Sequence, residues 1–213
     1  MKSKAHYVNL NNEEREDLEW WKLTLASWTG KSLMTWREWK RPGNFRLSSD
    51  ASGSLGFGVV FDNEWISENW NWVDKRERIH NIAILELVPI VIACLTWGRR
   101  WNRSRVIIDC DNMAVVESAK TFLPKDSHLC KLFRVLASLT IEHSFEIRLV
   151  HIAGKDNTDA DNLSRMNISE FVKRYPEARA GRIRIPTDII NFLLDPRDRK
   201  KQGQTSLENK RGI

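Results

Sequence analysis

Four acidic residues stand where one site could gather them. Asp50 lies in a short β-forming run, S-S-D-A-S. Glu86 opens an apolar stretch, L-E-L-V-P-I. Asp111 closes another apolar run, I-I-D-C-D-N, and Asp161 stands at an apolar helix start, A-D-N-L-S-R. Each has a modest reading of its own. Asp50 could form an Asx-turn with Ser52, Glu86 could snorkel or pair with Arg99, and Asp111 and Asp161 could cap the helices that follow them. Taken together the modest readings fail, because four converging acids without a cation repel one another and carry a desolvation cost. Divalent ions resolve the conflict. Mg²⁺ prefers carboxylate oxygens and retained waters. Two such ions about 4 Å apart could activate a water and stabilise the leaving oxygen of an in-line phosphodiester cleavage.

Neighbouring acids compete for these places. Asp109 shares strand parity with Asp111, so alternation cannot separate them. Asp111 is preferred because it lies nearer the strand's C-terminal end, where sites collect in sheets of this kind. Asp156 and Asp159 lie close to Asp161, which is preferred for its place one residue before the apolar face of A-D-x-L-S-R.

Convergence needs a sheet. Phe45 to Ala51, Gly56 to Phe61 and Trp65 to Trp70 read as three strands joined by the short turns Ser52-Gly53 and Asp62-Asn63, an antiparallel set. Leu85 to Trp97 is apolar on nearly every face and reads as a buried helix. Pro89 argues for a late start, since proline suits the first turn. Arg105 to Asp109 reads as a central strand. Asn112 to Lys120 is a short helix, Ser127 caps another running to about Glu142, and Phe145 to His151 is the last strand. A final helix runs from near Thr158 into Phe171 or beyond. The order β-β-β-α-β-α-α-β-α predicts an α/β fold: one five-stranded mixed sheet, three antiparallel strands then two parallel, with helices on both faces. The first and fourth strands would be neighbours, placing Asp50 beside Asp111.

The 213 residues fit one domain with extensions. Residues 1–43 form a helical extension, in which Asn11 or Asn12 caps a helix from Glu13 to Trp28 with Leu18, Trp21, Leu25 and Trp28 on one face. Residues 44–175 form the main domain. Residues 176–213 form a C-terminal extension, mostly disordered after 195, where apolar residues are few. A net charge of +6 permits a polyanion partner without requiring one. Cys94, Cys110 and Cys130 are odd in number and lack a C-x-x-C pair. That suits a reducing compartment and gives neither a disulfide framework nor a zinc site. The N-terminus lacks a signal-peptide core. Ile82 to Trp97, broken by Glu86 and Pro89, is too short and polar to span a bilayer. An intracellular place, cytoplasmic or nuclear, is expected, with no membrane partner and no small-molecule cofactor.

The ordered set D-A-S, G-x-G, L-E-L-x-P-I, D-N-M-A-V-V and H-I-x-G-x-x-N-x-x-A-D-x-L-S-R resembles the ribonuclease H domain of retrotransposon polyproteins, most closely DIRS-type elements carrying a tyrosine recombinase. The flanking W-W-x-x-x-L-x-x-W-x-G and F-x-x-x-x-P-x-A stretches resemble those polyproteins too, so the likeness covers all but the last residues. It implies an RNase H-like fold and an endoribonuclease that cuts the RNA strand of RNA–DNA hybrids. The implied ligands of two Mg²⁺ ions, for which Mn²⁺ can substitute, are Asp50, Glu86, Asp111 and Asp161. By the same resemblance His151 would assist product release; it could also simply end its strand as a hydrogen-bonded polar group. Some members carry a basic helical protrusion between the third and last carboxylates. Here that interval holds only two helices and a strand. No polymerase motif is present, so a reverse transcriptase domain would act in trans. Discrimination of the ribose 2′-OH needs uncharged polar groups near the ligands. The candidates are Ser52, Asn81, Asn112 and Asn157, with helix capping as the competing role for Asn112.

Two other functions compete with the nuclease. One is a catalytically idle nucleic-acid-binding or interaction module kept from a retroelement, which the retention of all four acids disfavours. The other is a different nuclease on the same fold, an integrase or junction resolvase, which the G-x-x-N-x-x-A-D-x-L-S-R ending disfavours.

Overall fold

The computed structural model describes residues 8–28, 47–70, 81–121, 124, 126–186, 189 and 193. The expected start of the first strand at Phe45, the break at Arg41-Pro42-Gly43, the charged loop Lys75 to His80 and the tail from Asp195 lie outside the described residues.

Five strands form one sheet in the order β3-β2-β1-β4-β5. They are β1 (Leu47–Ala51), β2 (Gly56–Phe61), β3 (Glu64–Asn69), β4 (Arg105–Cys110) and β5 (Glu146–His151). The first three are antiparallel. β4 runs parallel to both β1 and β5. This is the mixed sheet expected, with β1 and β4 as neighbours at its centre. Local chemistry sets the antiparallel part. Asp62, at φ 56°, supplies the left-handed residue a two-residue hairpin needs, and the short polar side chain tolerates it. Ser52 Oγ accepts from the N–H groups of Ser54 and Leu55 (3.4 and 3.2 Å), which closes the β1–β2 turn.

Alternation along β2 divides the core in two. Phe57, Val59 and Phe61 point to the face covered by α2 (Ile82–Trp97) and α4 (Ser127–His143), the larger apolar cluster. Gly58 and Val60 point to the opposite face, where α5 (Thr158–Ser164) and α6 (Ile168–Arg174) pack around Trp65, Leu163 and Phe171. Contrary to the expectation from sequence, the helical segment Ile82–Trp101 is long and apolar enough to cross a membrane, but most of its surface is buried against β1, β2 and α4. α3 (Met113–Thr121) lies over β5.

Four local readings are corrected. First, α2 starts at Ile82, not Leu85: Asn81 Oδ1 accepts from the Ala83 N–H at 3.0 Å and starts the helix early, leaving Pro89 in its interior. An interior proline costs about 3 kcal/mol, and the burial of nearly every residue of α2 outweighs it. Second, the cap of α4 is Asp126, whose Oδ1 accepts from His128 and Leu129, rather than Ser127. Third, the last helix is two helices. After Ser164 the chain closes with Met166 at φ 63°, with N–H bonds from Met166 to the Leu163 carbonyl and from Asn167 to the Asn162 carbonyl. That is a Schellman ending, and a methionine at its left-handed position gives no sequence signal where glycine would.

Fourth, α1 (Asn12–Ser27) begins as expected with an Asn11–Glu14 capping box, but it docks by a different face. Leu18, Trp21, Leu25 and Trp28 are about half exposed. The contact with α4 is polar instead: Trp20 Nε1 donates to Ser138 Oγ at 3.0 Å, and Arg134 pairs with Asp17 and Glu16. Past Tyr175 the chain runs beside β3. Trp65 Nε1 donates to the Ala178 carbonyl at 2.6 Å, and the Ile183 N–H donates to the Trp65 carbonyl at 2.8 Å.

Candidate metal centre

The parallel register of β1, β4 and β5 assembles the centre. β1 pairs Ser48 with Asp109, so Asp50 and Asp111 leave their strands side by side. β4 pairs Cys110 with His151, which sets the imidazole next to Asp111. The ion pair of Arg105 Nε with Glu146 Oε2, 2.9 Å long and shielded from solvent, fixes that register at the other end of the two strands.

Glu86 reaches the site from α2, one turn past the Asn81 cap. It is only 4% exposed, and its Oε2 is buried without a hydrogen-bond partner. A bond from the Ala51 backbone N–H ties the carboxyl to β1. Burial, with smaller contributions from the charges of Asp50 and Asp111, pushes Glu86 up to about 9. Asp50, 6% exposed, is raised to about 6, first by burial; a Ser164 hydrogen bond opposes the shift, while Asp111 and Asp161 add to it. Asp111 is also raised by burial and by Asp161, with His151 acting in the opposite sense. Asp50 and Asp111 thus act on Glu86, Asp111 and Asp161 on Asp50, and Asp161 on Asp111. Asp109, 4% exposed, is buried in the sheet.

Asp161 comes from the other side of the sheet, in the first turn of α5. What lets it come close is Gly58. A Cβ there would stand 2.5 Å from the Ala160 carbonyl oxygen and from Leu163 Cβ, and 2.8 Å from the Ser164 nitrogen. The helix backbone therefore lies directly on β2, beside Asp50, the register partner of Gly58. Ser67, next across on β3, donates to the Leu163 carbonyl at 2.8 Å and pins the helix there.

Three residues of the site carried no assigned role in the sequence reading. Ser164 is fully buried; its hydroxyl is within hydrogen-bond reach of both the Asp50 carboxyl and, at 2.9 Å, the Asp161 carbonyl, and its one proton serves one of them at a time. Arg165 Nε donates to Asp161 Oδ1 at 2.6 Å, so a cation already sits against the last carboxylate. Gly154, in the loop after β5, leaves room for Asp111: a Cβ there would lie 3.3 Å from Asp111 Oδ2. All three belong to the quoted motif, but only the fold shows what they touch.

The polar residues expected at nucleic acid fare unequally. Asn157 is corrected: at 2% exposed it is withdrawn from the surface, and its Nδ2 donates to the Ser49 carbonyl at 2.9 Å, anchoring the start of α5 to β1. Asn81 is engaged at both ends of its carboxamide, capping α2 and donating to Asp126 Oδ2 at 3.2 Å. Asn112 Oδ1 accepts from the Val115 N–H at 3.2 Å, the capping role held open above. Ser52 closes its own turn and stays half-buried; His151 is exposed.

A divalent cation fits this donor set. The donors are hard oxygens, one of them a buried atom without a partner, and burial and mutual repulsion hold protons on acids that a cation would relieve.

No protein-family model matches the chain, and no curated protein is significantly similar to it. Among solved structures it is similar to a ribonuclease H1, LC11-RNase H1, in complex with an RNA/DNA hybrid. The identity is 18%, over 55% of this chain and 91% of that one, with a TM-score of 0.41.

Proposed function

We propose that this chain is an endoribonuclease of the RNase H type, acting on the RNA strand of an RNA–DNA hybrid and related to retrotransposon polyproteins of the DIRS type. The observation that carries the reading is the convergence of Asp50, Glu86, Asp111 and Asp161 from two strands and two helices on opposite faces of the sheet. Such convergence is costly to stability without a cation and useful with one.

Bound at these carboxylates, two Mg²⁺ or Mn²⁺ ions would supply an activated water and stabilise the leaving oxygen of the scissile phosphodiester. The protein's part is positioning. Asp50 and Asp111 would be the ligands supplied by the sheet. Glu86, tied through Ala51, would hold the α2 side, and Asp161 the α5 side. Ser164 would orient Asp50, and Arg165 lies against Asp161 as a positive charge that competes with a bound ion. His151, exposed at the end of β5, would offer a hydrogen bond to a departing product. Ser52 and Asn112 border the ligands and are the residues proposed to meet the ribose. A reverse transcriptase domain acting in trans would supply the hybrid.

The test is Asp50→Asn in the full chain. It should abolish Mg²⁺-dependent hybrid cleavage while the metal-free fold holds or gains stability. Cleavage at the rate of the unaltered protein would end the two-ion reading.

A further inference from the structure

Cys110 is the last residue of β4, fully buried, and its side chain belongs to the face that α2 covers. There it stands against the carboxylate centre. A ligand atom from each of Cys110, Glu86 and Asp111 lies within 4.8 Å of the others. We propose that these three residues form a mixed sulfur–oxygen site for a thiophilic divalent ion, Zn²⁺ or Cd²⁺. Such an ion would compete for Glu86 and Asp111 with the hard ions of the proposed nuclease. The inference rests on reading the cluster as a cation centre.

Two independent features support it. Ligands on a tetrahedral zinc ion stand about 3.5 Å apart, so closing the triangle needs a movement on the order of an ångström, within reach of the glutamate side chain. Glu86 Oε2 is also a buried oxygen without a partner on a side chain 96% removed from solvent, while the carboxyl is already tied to the Ala51 N–H. Among the described residues, the sulfur of Cys110 makes a long hydrogen-bond contact, 3.9 Å to the Asn112 carbonyl. Neither sulfur nor oxygen is satisfied by the other, and a soft cation satisfies both. Mg²⁺ has no use for a thiolate, whereas Zn²⁺ and Cd²⁺ prefer one. On binding, the thiol proton and any proton on Glu86 leave to solvent as the metal–ligand bonds form; no electrons are transferred. Half-buried Asp111 marks the side from which an ion enters. The three ligands come from a helix and a strand end and show no metal-binding spacing in the sequence.

The test is Cd²⁺ titration of the metal-free full chain, followed by the ultraviolet Cd–thiolate charge-transfer band. One saturable band per chain is expected. It should persist in Cys130→Ala, vanish in Cys110→Ala and in the closer-sized Cys110→Ser, and need at least tenfold more Cd²⁺ when Mg²⁺ is in large excess. A band that survives in both Cys110 variants, the absence of any band, or a titration indifferent to Mg²⁺ would overturn the inference. Mg²⁺-dependent hybrid cleavage by the unaltered chain reads the nuclease assignment separately. Cleavage without a Cys110 band sinks only the soft-ion site. A Cys110 band without cleavage keeps the site and sinks the nuclease.

Discussion

The two faces of the sheet hold their helices by different means. On the α2–α4 face, large side chains interlock: Phe61, Trp97, Trp101 and Phe145 stack edge to face or tilted, and Phe57 tilts against Trp70. On the α5 face the contact is backbone on backbone, permitted by Gly58 and pinned by Ser67 and Asn157. A packed apolar face tolerates small rearrangements of volume. A helix seated on glycine and hydrogen bonds does not, yet it fixes the height of Asp161 and Ser164 above Asp50 closely. The proposed chemistry takes one carboxylate from each kind of support, Glu86 from the first and Asp161 from the second.

Breaking the tight face should have the largest effect. Gly58→Val must push α5 off β2, because its nearest neighbours there include backbone atoms and the root of Leu163. We expect a loss of about 3 kcal/mol or more and loss of divalent-ion binding. Val59→Ala on the opposite face is expected to cost a comparable amount of stability but to leave ion binding in the surviving folded protein. Thermal melts with and without Mn²⁺ separate the two. Equal retention of Mn²⁺ stabilisation in both variants would refute the contrast.

The acid cluster gives the next effect, through pH. Asp50 and Glu86 have folded values near 6 and 9, above their ordinary values of 3.8 and 4.5. Between the ordinary and the raised value the folded state holds more protons than the unfolded one, so metal-free stability is fully present at low pH and falls as pH rises through 6 and then 9. Asp50→Asn should remove the first fall and raise stability at pH 8 by on the order of 2 kcal/mol. Glu86→Gln should already raise metal-free stability at pH 7, which lies between the ordinary and the raised value of Glu86, and should remove the second fall. Saturating Mg²⁺ should flatten both in the unaltered protein. A melting temperature independent of pH from 5 to 9 without metal would contradict a crowded site.

Smaller effects are expected at the periphery. Arg165→Ala removes an exposed positive charge from Asp161 and should tighten Mn²⁺ binding by a factor of about 3, the scale of an exposed charge interaction; calorimetry reads it, and weaker binding would mean that the arginine acts mainly by orienting Asp161. Trp20→Phe removes the hydrogen bond of α1 to Ser138 and should lower stability by about 1 kcal/mol, with ion binding unchanged.

How much of this was legible follows the same division. The strand-forming run Gly56 to Phe61, the continuous apolar run Arg105 to Asp109 and the hairpin at Asp62-Asn63 carried the sheet, and with it the pairing of Asp50 and Asp111. What escaped was decided by contacts distant in sequence. Pro89 sits inside α2 because tertiary burial overrides a local rule, and Met166 ends α5 in a conformation its side chain does not advertise. Asn157, polar and in a loop, reads as a surface residue until β1 is seen to take its hydrogen bond. The face of α1 was misjudged because hydrophobic periodicity marks an apolar stripe and not what covers it; Arg134 on α4 selects the acidic side instead. Ser164 and Arg165 were in plain view in the motif, but their partners are a strand and a turn away in space.

The central claim is that four carboxylates make a hybrid-specific, metal-dependent nuclease. The most direct measurement offers the full chain one sequence in three forms, RNA–DNA hybrid, duplex DNA and single-stranded RNA, each with and without Mg²⁺. The account predicts cleavage of the RNA strand of the hybrid alone, and only with the ion. Equal cutting of all three would contradict hybrid specificity, and hybrid binding without cutting would contradict the enzyme and leave a nucleic-acid-binding module.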